Sequence, residues 1–372
     1  MARTIVVLSA SSGGGHNAAA NAIVHRIRAR YGDEYDYKIV DIYRNNIVSR
    51  LPGLAKVRYQ SDFIWQVFLR LTNNRRAVQA ISLFMRAHMV RLIGRELPEN
   101  TSHLIAVHFN PAQILKPLAG RCSSTPKTSI VVTDFDPHWA WLGRDTDQIF
   151  IVSDSGIERA RSIGYEESAL TKMQVVPVDD IPHRSTQLAS DEPLKLLLIS
   201  GQEGSNGRQI IRLIKLIDRL GKNKGVKLTV ICGNNNALRR SVDGMCDEVR
   251  FIDLDVKGYV EKVAQSFHLY DLMLVRTSPG VLSECISAGV PVLGFDWTAH
   301  EVYQTTYINQ NGLGMASRES SAHAEFLRKV FYDSEFLNQL YKNVEYVRKK
   351  IDYTGLVERL VHGAPDAGRE VV

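Results

Sequence analysis

Apolar residues along this chain fall into short solid runs separated by longer amphipathic stretches. Ile5-Val6-Val7-Leu8 and Leu196-Leu197-Leu198-Ile199 have the length and composition of strands buried on both faces. Such runs alternate with segments of helical periodicity, which is the pattern of parallel α/β architecture. The first half is predicted to hold strands at 4–9, 37–41, 102–107, 128–133, 148–152 and 173–176. The second half is predicted to hold strands at 195–199, 227–232, 249–252, 272–275 and 290–295. Helices are expected at 17–30, 208–220 and 281–288. A further helical segment at 334–362 carries a stripe of Leu337, Leu340, Val344, Val347 and Ile351. Residues 179–193 are polar, contain prolines and lack periodicity, so they read as a linker. The expected organisation is a domain at 1–183, a second at 193–333 and a terminal helical segment at 334–362.

Both halves open alike. The first strand runs into Ser9-Ala10-Ser11-Ser12-Gly13-Gly14-Gly15-His16, and the strand at 195–199 runs into Ser200-Gly201-Gln202-Glu203-Gly204. A strand that turns through small residues into a helix start leaves backbone N–H groups pointing into a crevice, where an anion or polar substrate edge can sit. Neither turn is a dinucleotide fingerprint or a P-loop. His16 places a group that titrates near neutral pH at the mouth of the first crevice. Ser278-Pro279-Gly280 carries helix-start signals and can cup a phosphate, with Arg276 beside it as a fixed cation.

At 372 residues the chain can build two cores, and its net charge of +6 favours an anionic partner. The four cysteines are far apart and read as buried thiols of a reducing compartment. No window approaches the apolar length of a membrane span, and the N-terminus does not read as a secretory signal. The expected location is therefore cytoplasmic, with any membrane contact peripheral. No spacing sets up a metal site. Residues 44–95 hold ten Lys and Arg with Asp62 as the only acid, interleaved with Phe63, Trp65, Phe68 and Phe84. Such a segment suits either a membrane interface or a solvated helix pair packed on the first domain. It is too apolar for a nucleic-acid track, and no nucleic acid is expected as partner.

The motifs SSGGGHNAAANAI, VHFNPAQIL, VVTDFDPHWAW with DQIFIVSD, LLLISGQEGSNGRQI, LTVICGNNNALRR and the block from Arg276 to Gly314 occur in this order. Together they resemble the GT-B glycosyltransferases of the monogalactosyldiacylglycerol synthase and MurG-like group, over nearly the whole chain. The resemblance implies two Rossmann-like domains facing across a cleft, with acceptor on the first and donor on the second. It implies inverting, metal-independent transfer of a hexosyl residue from a UDP-sugar to a lipid hydroxyl, and the basic segment 44–95 adds an anionic membrane surface as an expected partner. No cofactor beyond the donor is implied.

On the donor side it implies Gly201, Gly204, Tyr259, Arg276, Ser278, Gly280, Glu284, His300, Glu301 and Gln304. Gly14, Gly15, His108 and His138 fall on the acceptor side. His16 is the first choice for general base, with Asp134 and His138 competing, and for these three acid–base work and acceptor binding remain alternatives. The chain departs from the pattern at Arg276-Thr277-Ser278-Pro279-Gly280, where the family has Lys-x-Gly-Gly. It departs again at Thr298-Ala299-His300, where the family has Pro-Gly-Gln. A nucleotide-sugar epimerase or hydrolase on the same fold, or a nucleotide-sugar- or lipid-binding regulator without turnover, are the alternative readings.

Overall fold

The computed structural model describes residues 3–11, 14–43, 74–143, 146–184, 192–200, 207–297 and 301–363. The chain divides into two units, Met1–Asp179 with Ile351–Val372, and Asp180–Lys350.

The first unit is built on a six-stranded parallel sheet in the order β2-β1-β3-β4-β5-β6. Its strands are β1 (Arg3–Ser9), β2 (Tyr35–Asp41), β3 (Thr101–Ala106), β4 (Lys127–Val131), β5 (Gln148–Ile151) and β6 (Leu170–Lys172). Ile5, Val6, Val7 and Leu8 are fully buried, as a strand covered on both faces requires. The helices are α1 (Gly15–Tyr31), α2 (Arg75–Gly94), α3 (Phe109–Ala112), α4 (Leu115–Ala119) and α5 (Asp154–Ser162). On α1 the small side chains Ala19, Ala20 and Ala22 are buried beside Ile23 and Ile27.

The second unit carries a six-stranded parallel sheet in the order β12-β11-β10-β7-β8-β9. Its strands are β7 (Leu194–Ile199), β8 (Val226–Ile231), β9 (Asp253–Lys257), β10 (Leu272–Arg276), β11 (Val292–Asp296) and β12 (Gly314–Ala316). The helices are α6 (Gly207–Leu220), α7 (Asn236–Asp243), α8 (Pro279–Ala288), α9 (Val302–Gln310), α10 (Ser320–Tyr332) and α11 (Ser334–Arg348). On α6, Ile210, Leu213, Ile214 and Ile217 are buried at one-face spacing. The expectation of parallel α/β sheets in both halves is borne out.

Two strand expectations are corrected, one strand was not expected, and the terminal helical segment divides. The strand expected at 173–176 lies earlier, at Leu170–Lys172, where Ile149 pairs with Leu170 and Ile151 with Lys172. Val175 and Val176 are buried without ladder pairing, so burial alone had mimicked a strand. The strand expected at 249–252 is displaced to Asp253–Lys257, an edge strand whose alternate residues are exposed. β12 was not expected. It is three residues long, and Gly314 at φ +147° lets it approach β11, because a Cβ there would collide with the Val292 carbonyl oxygen. The segment 334–362 forms two helices in different units: α11 in the second, and α12 (Tyr353–His362) in the first.

Helix α12 is tied to the first unit by specific contacts. The Arg26 guanidinium lies 3.7 Å from the Tyr353 ring centroid. Arg30 pairs with Glu358. The Arg359 Nη1 donates to Thr171 Oγ1 at 3.2 Å. Buried His103 lies with Nε2 2.9 Å from the Val361 carbonyl and Nδ1 2.8 Å from Ser102 Oγ. The carbonyl only accepts, so Nε2 carries the proton and Nδ1 accepts from Ser102. Burial pushes the His103 pKa from 6.5 down to about 4, against the opposing pull of the Val361 carbonyl. An unfolded chain therefore binds a proton near pH 6.5 that the folded chain refuses until about pH 4. This contribution to stability is fully present above pH 6.5 and is lost as the pH falls toward 4. Wild type should lose about 2 kcal/mol more than His103→Gln between pH 7.5 and 4.5 in urea unfolding. Equal losses in the two proteins would remove the assignment.

Candidate active site

In the first unit β2 lies on one side of β1 and β3 on the other, so the sheet order changes direction between β1 and β3. At such a point the chain leaves neighbouring strand ends in opposite directions and a crevice opens at the carboxyl edge. Three segments meet there: the turn after β1, residues 107–108 after β3, and residues 132–134 after β4. The glycine turn is clamped from both ends. Asp41, the last residue of β2, accepts from the Ser11 N–H at 3.1 Å and from the Ser11 hydroxyl. Asn17 Nδ2 donates to Asp41 Oδ2 at 3.1 Å and to Ser11 Oγ at 3.0 Å, and Ser9 Oγ donates to Asn17 Oδ1 at 2.5 Å. Burial alone would raise the Asp41 pKa, but hydrogen bonds from Ser11, Tyr43 N–H and Asn17 outweigh it and hold the carboxyl below its ordinary range. Gly14 and Gly15 are exposed at the start of α1, which has no side-chain cap and no acid in its first turn. A Cβ on Gly15 would meet only open space.

His16, half-buried on the first turn of α1, places Nδ1 2.7 Å from Thr133 Oγ1 and 3.1 Å from the Val107 carbonyl. His108 is fully buried and meets His16 edge-on, with ring centroids 4.6 Å apart. Its Nδ1 accepts from the Asn110 N–H at 3.2 Å, capping α3, and its ring stacks on Phe109 at 4.2 Å. Burial, helped by the charges of His16 and His138, holds the His108 pKa well below the ordinary imidazole value, so this ring stays neutral. Fully buried Trp141 donates its indole N–H to Asp134 Oδ2 at 2.6 Å. His138 Nε2 lies 4.0 Å from the same oxygen, and its ring meets Phe109 at 5.0 Å. His16, His108, Asp134 and His138 therefore share one neighbourhood, with Gly14 and Gly15 at its edge.

Sequence reasoning missed Thr133, Phe109, Asn17 and Asp41 here. Thr133 and Asp41 each sit at or just past a strand end on the crevice edge, and that register was the available signal. Buried Trp141 belongs to the wall of the site.

In the second unit the order changes direction between β7 and β10. Gly201, Gly204 and His300 lie outside the described residues. Arg276 ends β10. Its Nη2 lies 3.1 Å from Glu301 Oε2 and 3.3 Å from Oε1, and its Nε donates to Oε2 at 3.2 Å. Glu301 is buried, so the guanidinium fork compensates a charge removed from water. Burial pushes the Asp296 pKa up, against the pull of the same guanidinium. Ser278 occupies the N-cap of α8 without spending its side chain on a cap hydrogen bond, and Pro279 fills the first turn. A Cβ on Gly280 would meet only open space. Glu284 is half-buried on the second turn of the same helix. Gln304 is buried with neither amide atom bonded, and Thr277 Oγ1 is likewise unmatched, among the described residues. Buried polar groups left unmatched cost ~1–3 kcal/mol each. Tyr259 lies just past β9 and is 64% exposed.

A family model for monogalactosyldiacylglycerol (MGDG) synthase matches residues 16–174. The chloroplastic monogalactosyldiacylglycerol synthase of Spinacia oleracea is 25% identical over 339 residues, covering 84% of this chain and 63% of that protein. The chain thus spans less than two thirds of that relative's length. The processive diacylglycerol beta-glucosyltransferase of Bacillus subtilis is 22% identical over 363 residues, covering 92% and 91% of the two chains. Among solved structures, Acinetobacter baumannii MurG superposes with a TM-score of 0.60 at 14% identity, over 96% of this chain and 99% of that one. Arabidopsis thaliana UGT89C1 complexed with UDP-L-rhamnose superposes at 0.57 and 13% identity, over 98% and 100%.

The Arg276–Glu301 fork generates a direct expectation. Arg276→Ala removes the guanidinium fork from a buried carboxylate and should lower stability by roughly 2 kcal/mol, whereas Glu301→Gln should cost less than half of that. Urea midpoints of the two variants check this, and equal losses would mean that the carboxylate does not need its partner.

Proposed function

We propose that this chain, a GT-B protein of the monogalactosyldiacylglycerol synthase and MurG-like group, transfers a hexosyl residue from a UDP-sugar to a lipid hydroxyl. The observation that carries the reading is His16, held by its Nδ1 at the crevice where β1, β3 and β4 deliver their ends. The relatives add the class of chemistry, since they are named for galactosyl or glucosyl transfer to diacylglycerol.

In this reading the acceptor hydroxyl oxygen attacks the anomeric carbon and gives its proton to His16. The bond from that carbon to the diphosphate breaks, and the electron pair leaves with UDP. Attack opposite the leaving group inverts the anomeric centre. The charge that develops on the diphosphate meets the N–H groups at the start of α8 and the nearby Arg276 guanidinium. Arg276 and these N–H groups can do this work without a metal. Glu301 and Gln304 supply acceptor and donor groups for sugar hydroxyls, Glu284 for the ribose and Tyr259 for the base. Phe109 and the buried face of Trp141 give the acceptor side an apolar wall beside a polar turn.

Membrane attachment is part of the same proposal. On α2, Val78, Met89, Val90 and Ile93 are buried, while Arg75, Arg76, Arg86 and Arg91 are exposed. The apolar stripe of this helix is therefore spent partly on the core, and its cations face outward. The Arg75 guanidinium lies 6.0 Å from the Trp139 ring, two residues from the buried Trp141, so the basic helix begins beside the acceptor crevice. Residues 44–73 of the basic segment lie outside the described residues. Among the described residues no helix is long and apolar enough to cross a membrane. Anionic lipid on a cytoplasmic surface would draw the exposed arginines at about 1 kcal/mol each.

Purified protein incubated with labelled UDP-glucose, UDP-galactose or UDP-N-acetylglucosamine and vesicles of diacylglycerol in anionic phospholipid should form a glycolipid. EDTA should leave the rate within twofold, and the product should show the inverted anomer by NMR. His16→Ala should lower kcat by ~10²–10⁴-fold. UDP binding without turnover would instead favour a regulator, and sugar release or epimerisation without lipid would favour the hydrolase or epimerase reading.

A further inference from the structure

We infer that Thr133 is a positioning residue that fixes the tautomer of His16 and thereby selects Nε2 as the proton-accepting atom. The inference rests on the transferase reading above for its catalytic consequence, and on geometry alone for the tautomer.

Three atoms close a triangle. His16 Nδ1 lies 3.1 Å from the Val107 carbonyl and 2.7 Å from Thr133 Oγ1, and Thr133 Oγ1 lies 3.2 Å from the same carbonyl. A carbonyl oxygen can only accept. The Thr133 hydroxyl has one proton and donates it to Val107 O. Its lone pairs then face Nδ1. The proton on that side of the ring must therefore sit on Nδ1, shared between the carbonyl and the hydroxyl oxygen. A bare Nδ1 would set its own lone pair against that of the carbonyl. Neutral imidazole carries one N–H, so the basic lone pair is left on Nε2.

The same contact acts on the charged form. When His16 takes a proton, Nδ1–H keeps its two acceptors, so the imidazolium is stabilised by dipoles. The ionisable groups around it are distinct in role. His108 meets the ring edge-on from the β3 side and stays neutral. From the segment after β4, Asp134 is engaged by Trp141, with His138 next to it. Asp41 of β2 reaches the turn through Ser11 and Asn17. Thr133 is buried at the end of the segment that follows β4, and a rotamer held by Val107 O gives it little freedom to re-aim.

The test separates tautomer from turnover. Protein labelled with 15N-histidine, with the His16 signals assigned by their loss in His16→Gln, should show a protonated Nδ1 in wild type. Thr133→Val, which keeps the shape and removes the hydroxyl, should shift the population toward protonated Nε2. In the transfer assay it should lower kcat ~10-fold with the donor KM unchanged, and move the acid limb of the pH–rate profile to lower pH by roughly half a unit. Thr133→Ser should restore both. A wild-type ring protonated on Nε2, or a Thr133→Val enzyme with kcat within twofold and an unmoved acid limb, overturns the inference. If wild type transfers no sugar, the transferase reading falls, and the tautomer measurement alone then decides the role of Thr133.

Discussion

A parallel strand must release its chain at the same edge as its neighbours, and the chain must then leave over one face or the other. Where two adjacent strands release it in opposite directions, backbone and side chains surround a space that neither connection fills. This constraint places the candidate residues of each unit. It operates between β1 and β3 in the first unit and between β7 and β10 in the second. In each, the helix that starts at this edge carries an open glycine early in its first turn, at Gly15 on α1 and Gly280 on α8. Neither helix spends a side chain on its own N-terminal N–H groups, a trait shared with α4, α9 and α10, whereas α2, α5, α7, α11 and α12 are capped by Asn or Asp or Ser.

The two sites differ in how they handle charge. In the first unit a run of histidines is packed so that burial keeps His108 neutral beside half-exposed His16, while the Asp134 carboxylate accepts from an indole N–H and Asp41 is engaged by Ser11 and Asn17. In the second unit a guanidinium is pinned by a buried carboxylate beside an uncapped helix start. That surrounding suits an anion, because part of the positive potential is fixed in place before the ligand arrives.

Strands buried on both faces were legible as solid runs, and β1, β7, β8 and β10 lie within a residue or two of where periodicity puts them. The misread strands are those whose composition is set by an edge or by a neighbour. β9 alternates Asp with Leu and Val, and reads as polar. β12 is allowed by Gly314 rather than driven by its own apolar residues. At the site, His16, His108, Asp134 and His138 stood out as chemistry-bearing residues near strand ends. What decides their roles was not legible: which nitrogen faces Thr133, which oxygen Trp141 takes, and which carboxylate Arg276 grips are facts of packing. Thr133 is a common residue in a β-rich segment, and nothing in its own identity distinguishes a packing threonine from an orienting one.

Helix α12 has a consequence for how the molecule is made. The first unit comprises residues from both ends of the chain, and its closing contacts include Val361 against His103 and Tyr353 beneath Arg26. During synthesis the segment before residue 180 leaves the ribosome long before these partners exist. The later unit, continuous from 180 to 350, holds all its own contacts earlier than the unit that precedes it can be completed. The order of maturation thus runs against the order of translation, and the nascent chain carries an unfinished first unit until α12 emerges.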